Sequence, residues 1–129
     1  MSLSRRESII QQEIVNYLST ISARYDFLFF SVPNESFLIG GLDHSGKQFG
    51  MLATLKKMGM RKGAADLVVG HAGHMYCLEV KSETGKQSDD QLGFEDWCKR
   101  CGVPYVVVRS VVEVAYWLKE WGIVPEVKA

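Results

Sequence analysis

Two charged residues near the middle of the chain have the types and the spacing that metal-assisted chemistry requires. Glu79 and Lys81 alternate with apolar residues at the end of Met75–Lys81, a pattern that predicts a β-strand. Side chains two residues apart on a strand share one face and lie about 7 Å apart. Because burying either charge alone costs several kcal/mol, something must compensate both, and a divalent cation with a phosphate would do so.

A third charged residue, Asp66, belongs to the preceding predicted strand, Ala65–Gly70. The turn at His71–His74 joins the two strands into a hairpin, so antiparallel pairing brings Asp66 opposite or close to Glu79. Two converging carboxylates suit a hard cation such as Mg²⁺ or Mn²⁺, and the backbone carbonyl of Val80 could add a ligand. On spacing alone, a surface Glu-x-Lys beside an unrelated Asp is the alternative and the more common arrangement.

The elements that must position these residues follow from hydrophobic periodicity and turn signals. Their predicted order is α-β-(α)-β-β-α-β-α, an α/β domain with a central mixed sheet flanked by helices. Besides the hairpin, the predicted elements are a helix over Ser4–Ala23, a buried strand over Phe27–Val32, a loop over 34–47, a helix over Gln48–Met58, a loop over Ser82–Gln87, a helix over Asp89–Cys101, a strand over Pro104–Arg109 buried on both faces, and a last helix capped by Ser110.

Length and composition place the chain among globular proteins. Its 129 residues fit one domain spanning 1–129, with loose tails expected at 1–6 and 125–129. The start lacks the apolar stretch of a signal peptide, and no apolar run reaches the length of a membrane span, so we expect an intracellular, cytoplasmic protein. The 15 basic and 15 acidic residues balance, so any nucleic-acid surface must come from local clusters of charge.

The ordered motifs of this chain resemble the VRR-NUC (virus-type replication-repair nuclease) branch of the PD-(D/E)-x-K nucleases. The resemblance covers nearly the whole chain and extends upstream to Glu13 and to Pro33-Asn34-Glu35. One departure is Ala65, which stands where the family usually has proline. The residues that carry the resemblance are, in order, Gly63, Asp66, Leu67, Glu79, Lys81, Gly85, Gln91 and Gly102.

This resemblance implies a restriction-endonuclease-like core and a metal-dependent DNA endonuclease. Asp66 and Glu79, with the Val80 carbonyl, would bind Mg²⁺ or Mn²⁺, and Glu13 would point toward the metal. Lys81 would orient or deprotonate the attacking water and stabilise charge on the phosphate. Gln91 would be the remaining site residue. Stand-alone members of this family look like homodimers that act on branched DNA, with four-way (Holliday) junctions as plausible substrates.

Two of these assignments have simpler explanations. Gln91 stands three residues after Ser88, so the pair could be only a capping box at the start of a helix. Glu13 could be an ordinary solvated glutamate. The expected DNA contacts are basic residues before Asp66 and in the loop after Lys81, although the first group could be only a solvated face: Lys56, Lys57, Arg61, Lys62 and Lys86.

Other functions are possible from the same residues. The chain could be a DNA-binding module without turnover, although retention of Asp66, Glu79 and Lys81 argues against it. It could be a thiol oxidoreductase using Cys98 and Cys101. That pair lies at the end of a predicted helix, where the helix dipole does not lower a thiol pKa, so we expect core cysteines. His71 and His74 are expected in a solvated turn.

Overall fold

The computed structural model describes residues 3–33 and 46–125, with side chains described for 6–33 and 50–125. These residues form a single small α/β domain in which four helices flank a four-stranded mixed sheet. The order of elements is the predicted one. Their bounds are α1 Leu3–Ile21, β1 Leu28–Ser31, α2 Gly46–Lys57, β2 Leu67–His71, β3 His74–Val80, α3 Asp89–Arg100, β4 Tyr105–Val108 and α4 Val111–Glu120.

The strands lie in the order β1-β2-β3-β4. Strand β2 pairs antiparallel with both β1 and β3, and β3 pairs parallel with β4. The predicted hairpin is confirmed, with His71 opposite His74 across a two-residue turn. Ala72 and Gly73 both have positive φ, 49° and 81°, as a type I′ turn requires. The turn therefore sets the register that brings Asp66 to the level of Glu79.

The main core lies between the sheet and the pair of helices α1 and α4. One face of the hairpin contributes Leu67, Val69, Leu78 and Val80, all almost completely buried. The predicted apolar stripe of α1 is confirmed at its centre, where Ile14 and Leu18 are buried, and α4 contributes Val114 and Leu118. Alternation along β3 turns Cys77 and Glu79 toward the opposite face, which α3 covers.

A smaller apolar cluster lies on that opposite face. Ala65, Cys77, Cys98 and Tyr105 are its buried members, and Phe94 of α3 packs against them. Strand β3 is thus covered on both faces over Tyr76–Val80, where all residues are buried. Glu79 consequently sits in a strand that has protein on both sides, which explains why its carboxylate is removed from bulk water.

Two predictions about burial are wrong. Strand β1 is largely open, with Leu28 61% and Phe30 51% exposed, because it lies at one end of the described sheet and, of its residues, only Phe29 packs against the main core. In β4, at the other end, Val106 and Val107 are only half-buried. Helix α1 begins at Leu3, one residue before its predicted start at Ser4.

Helix α2 has only part of its predicted apolar face. Leu52 is buried, but Met51 and Met58 are 43% and 78% exposed. Of the predicted loop over 34–47, residues 34–45 lie outside the described residues, as do the outermost tails, 1–2 and 126–129. Residues 46–47 belong to α2, which begins two residues before its predicted start at Gln48. In the part of the chain that is described, no helix has both the length and the apolar character needed to cross a membrane.

Candidate active site

Glu79 is the centre of the candidate site. Its side chain is 1% exposed, and that of Lys81, two residues further along the chain, is also buried. The Lys81 Nζ lies 3.7 Å from Glu79 Oε2, an ion pair slightly longer than a hydrogen bond. The Lys81 N–H donates to the Val108 carbonyl at 3.0 Å, which extends the β3–β4 pairing past Val80. The sheet therefore holds the backbone of both charged residues.

Asp66 reaches the same place from the neighbouring strand. Its Oδ2 accepts a hydrogen bond of 2.7 Å from the Val80 N–H. Extending the register by one position beyond Leu67↔Leu78 places Asp66 beside Glu79, as the sequence predicts. Val80 therefore contacts the site through its N–H. The predicted contact was a metal ligand from its carbonyl.

Gln91 combines the two functions that the sequence left as alternatives. Its Oε1 accepts from the Ser88 N–H at 2.8 Å, and its own N–H donates to Ser88 Oγ at 3.2 Å, which completes a capping box. The other end of the same amide, Nε2, donates to Glu79 Oε2 at 2.9 Å. The first turn of α3 therefore orients one oxygen of Glu79.

A close backbone approach sets the position of that helical turn. Gly63 has φ +84°, and a Cβ on it would lie 2.4 Å from the Asp90 carbonyl carbon and oxygen and 2.8 Å from the Gln91 nitrogen. Only glycine leaves room for this contact, because any side chain would collide with backbone. The segment leading to Asp66 thus packs directly on the start of α3, which carries Gln91.

The electrostatics of the two carboxyl groups are unusual. Burial, followed by the charge of Asp66, raises the pKa of Glu79 to about 9. Burial also raises the pKa of Asp66, and the Val80 N–H opposes that shift. The two carboxyl groups are within hydrogen-bonding reach, but they can bond only if one carries a proton. At neutral pH this pair needs either a proton or a cation between its oxygens.

Two buried oxygens at this place have no hydrogen-bond partner. They are Glu79 Oε1 and Ser82 Oγ, the only such side-chain atoms in the described part of the chain. Buried polar atoms are usually paired, so each unpaired one calls for an explanation. Both belong to the segment 79–82 that contains the ion pair. A cation with its hydration water would satisfy oxygens of this kind.

Glu7 lies near the candidate site but was not among the residues predicted for it from the sequence. Its charge contributes to the raised pKa of both Asp66 and Glu79. A Cβ on Gly85 would lie 2.9 Å from Glu7 Oε1 and 2.9 Å from Ser82 Oγ, so these two oxygens border the same small space. The half-buried Glu7 therefore adds a negative charge to the surroundings of the pair.

A signal for Glu7 was present in the sequence. Residues of an α-helix advance by about 100° each, so Glu7 lies only about 20° from Ile14 and continues the apolar stripe of α1. Glu13, for which a site role and an ordinary solvated position were both open, is exposed and lies off that stripe. The charges that act on Asp66 and Glu79 include Glu7 and not Glu13.

The predicted DNA-binding residues lie around the segment that precedes Asp66. The Arg61 guanidinium lies 4.3 Å from the ring centroid of Trp97, and Lys62 pairs with Asp90 at 3.3 Å. Both contacts connect the basic segment to α3. Lys56, Lys57 and Lys86 are exposed. Arg61 and Lys62 therefore border the same helix whose first turn contacts Glu79.

The sulfur and imidazole candidates lie apart from this centre. Cys98 is buried beside Cys77 and burial raises its pKa, whereas Cys101 is exposed, so only half of the pair is in the core. A raised pKa disfavours the thiolate that redox chemistry needs. His71 and His74 flank the hairpin turn as predicted. The described residues contain no group of three or more His, Cys, Asp or Glu placed to hold a metal ion.

Comparisons with known proteins give no relative for this chain. No family model, no curated protein and no solved structure matches it.

Proposed function

We propose that the protein is a divalent-metal-dependent endonuclease that hydrolyses phosphodiester bonds in DNA, with a core of the PD-(D/E)XK type. The observation that supports this proposal most directly is the convergence on Glu79. A buried carboxylate receives Gln91 on one oxygen, lies beside Asp66 and Lys81, and keeps its other oxygen without a partner. Buried polar atoms are usually hydrogen-bonded, so a buried carboxylate oxygen without a protein partner suits a site that binds a ligand.

The donor set fits a hard cation. Asp66 and Glu79 supply carboxylate oxygens from adjacent strands, and burial raises the pKa of both groups, so the ionised carboxylates need a compensating charge. Mg²⁺ or Mn²⁺ prefers such ligands and keeps part of its water shell. When bound, the cation would polarise a phosphoryl oxygen and increase the acidity of a nearby water.

Lys81 is proposed to act on the phosphate and on the attacking water. Its ammonium is held near Glu79 by a buried stem, so its remaining donors can point to a phosphate oxygen on which negative charge develops. Gln91 is proposed to hold the Glu79 carboxylate in one orientation, because its amide is itself locked by the capping box. Both roles belong to residues whose backbones are fixed by regular structure.

The DNA-binding surface is proposed from local charge. With a net charge of zero, the chain must collect basic residues near the site, and Lys56, Lys57, Arg61, Lys62 and Lys86 are the candidates. We propose branched DNA, including four-way junctions, as substrate and a homodimer as the active form. The open face of β1, with Leu28 and Phe30 exposed, supplies apolar surface that a second copy could cover.

The test is a cleavage assay on linear, flapped and four-way-junction DNA with Mg²⁺, with Mn²⁺ and with chelator. We expect metal-dependent cleavage by the wild type and a loss of about 10²- to 10³-fold in kcat for Lys81→Ala, because one charge-stabilising donor is removed. Lys99→Ala is the matched control, since Lys99 is an exposed lysine of α3. Tight DNA binding without any metal-dependent cleavage would instead identify a DNA-binding module.

A further inference from the structure

The guanidinium of Arg109 contacts the loop that follows Lys81 in an arrangement that the proposed chemistry does not by itself require. Its Nη1 donates to the Ser82 carbonyl, and to the Gly85 carbonyl at 2.9 Å, with the Glu83 carbonyl at 3.4 Å. The loop also closes on itself, because the Gly85 N–H donates to the Ser82 carbonyl at 3.1 Å. One side chain thus organises the whole turn.

Arg109 is itself held rigidly. It follows the last residue of β4, and its backbone N–H donates to Glu113 Oε1 at 2.6 Å. Ser110 caps α4 and accepts from the Glu113 N–H. The Lys81 N–H, in turn, donates to the Val108 carbonyl next to Arg109. A continuous set of hydrogen bonds therefore runs from the start of α4, through Arg109, to the residue directly after Lys81.

The guanidinium of Arg109 has an unusual set of partners. A half-buried guanidinium usually pairs with a carboxylate. Within the described part of the chain, Arg109 has no carboxylate within ion-pair distance, and its side-chain hydrogen bonds go to backbone carbonyls. Carbonyl oxygens of a loop have fixed positions only when the loop has one conformation. The contact therefore selects a single conformation for residues 82–85.

The loop conformation constrains the carboxyl side of Lys81. The sheet holds the Lys81 N–H through the Val108 carbonyl, and beyond that bond the chain enters the turn. Ser82 is completely buried, and a Cβ on Gly85 would lie 2.9 Å from both Glu7 Oε1 and Ser82 Oγ, so the turn lies close to these carboxylate and hydroxyl oxygens. We expect a different loop path to move the Lys81 ammonium away from Glu79 Oε2.

We infer that Arg109 is a positioning residue: by binding the carbonyls of the turn after Lys81, it holds the Lys81 ammonium beside Glu79 in the geometry that phosphodiester cleavage needs. The expected effect on DNA cleavage rests on the proposed function, whereas the expected effect on the loop conformation does not. Misplacement of a reacting group by about 1 Å can reduce turnover by about 100-fold. Loss of a residue that orients an active-site group typically lowers activity by about 10- to 100-fold.

The experiment compares Arg109→Met and Arg109→Lys with the wild type in the full chain. We expect Arg109→Met to lower kcat on cleaved DNA about 10- to 100-fold, with KM and the Mn²⁺ dissociation constant changed less than about threefold. We expect Arg109→Lys to recover part of the lost kcat, since an ammonium can reach some of the same carbonyls. Arg100→Met is the control, because it removes an exposed arginine of α3.

A second readout does not depend on activity. Amide hydrogen exchange should become faster at residues 82–87 in Arg109→Met, while α4 and β3 keep their protection. If the wild type cleaves no DNA, the proposed function fails, and the exchange experiment still tests the loop contact. Unchanged exchange in the loop, an unchanged kcat, a change confined to KM, or an equal loss in Arg100→Met would each overturn the inference. If Arg109→Met does not fold, the same comparisons are made with Arg109→Lys, for which smaller changes in the same direction are expected.

Discussion

The two faces of β3 bury different kinds of side chain, apolar on one face and partly charged on the other. On the face toward α1 and α4, the buried residues form one apolar cluster, and Leu67, Leu78 and Leu118 are completely buried. On the face toward α3, four small or amphipathic residues are buried together with Glu79 and Lys81. The first face supplies stability through burial of apolar area. The second holds charges that burial disfavours, which the first face must offset.

This difference teaches why the candidate site lies where it does. A strand that is covered on both faces has a fixed backbone, so its polar side chains are placed accurately. On the α3 side, the structure is held by specific local contacts. They are the capping box of Ser88, the close backbone approach at Gly63 and the Arg109 hydrogen bonds. We therefore expect substitutions on the first face to change stability, and substitutions on the second to change activity and pH dependence.

The largest effect on stability should follow from opening a cavity on the apolar face. Leu118 of α4 is completely buried, so Leu118→Ala should lower the free energy of unfolding by about 2–5 kcal/mol. Urea denaturation measures the change. Val112→Ala on the same helix is the control, because Val112 is 78% exposed and its truncation should cost no more than about 0.5 kcal/mol. Equal effects of the two substitutions would contradict the assigned core.

The next effect concerns Glu79, whose pKa in the folded protein is raised from 4.5 to about 9. The folded state holds this proton more tightly than the unfolded state does, so ionisation of Glu79 disfavours folding. Without metal, its contribution to stability is complete below pH 4.5 and is lost as the pH rises toward 9. Thermal unfolding in chelator should show this decline for the wild type, and Glu79→Gln should show a smaller decline.

Addition of metal sharpens the same comparison. A cation at Asp66 and Glu79 would stabilise the ionised pair, so Mn²⁺ at about 100 times its dissociation constant should raise the stability of the wild type by about 2.7 kcal/mol. At a fixed Mn²⁺ concentration the gain should increase with pH, because binding displaces a proton from the pair. Glu79→Gln should lose most of the gain. A stabilisation by Mn²⁺ that survives in Glu79→Gln would place the cation elsewhere.

The smallest effect should come from the cap of α3. Ser88→Ala removes the acceptor for the Gln91 N–H and should lower the free energy of unfolding by about 1 kcal/mol. Because the same cap orients the Gln91 amide on Glu79, kcat should fall as well, whereas Ser88→Thr, which keeps the hydroxyl, should change both quantities less. A loss of stability with unchanged kcat would limit Gln91 to helix capping.

Much of the fold could be predicted from local patterns, and particular residues show where prediction ended. The hairpin turn, the strand alternation and the N-caps of α3 and α4 depend on neighbours in sequence, and all were predicted. The exposure of Leu28 and Phe30 was not, because an apolar run looks the same in a central strand and in an end strand. Strand position in a sheet depends on pairing between distant segments.

The approach of Asp66 to Glu79 was determined by the sequence itself. A hairpin with a two-residue turn sets the register of the two residues, and strand alternation places Lys81 with them. Tertiary structure alone decided the rest: that Glu7 and not Glu13 approaches the carboxylates, that the Gln91 amide serves both its helix and Glu79, and that Arg109 binds the loop after Lys81. These contacts join segments far apart in the chain, and their geometry follows from how α1, α3 and α4 pack on the sheet.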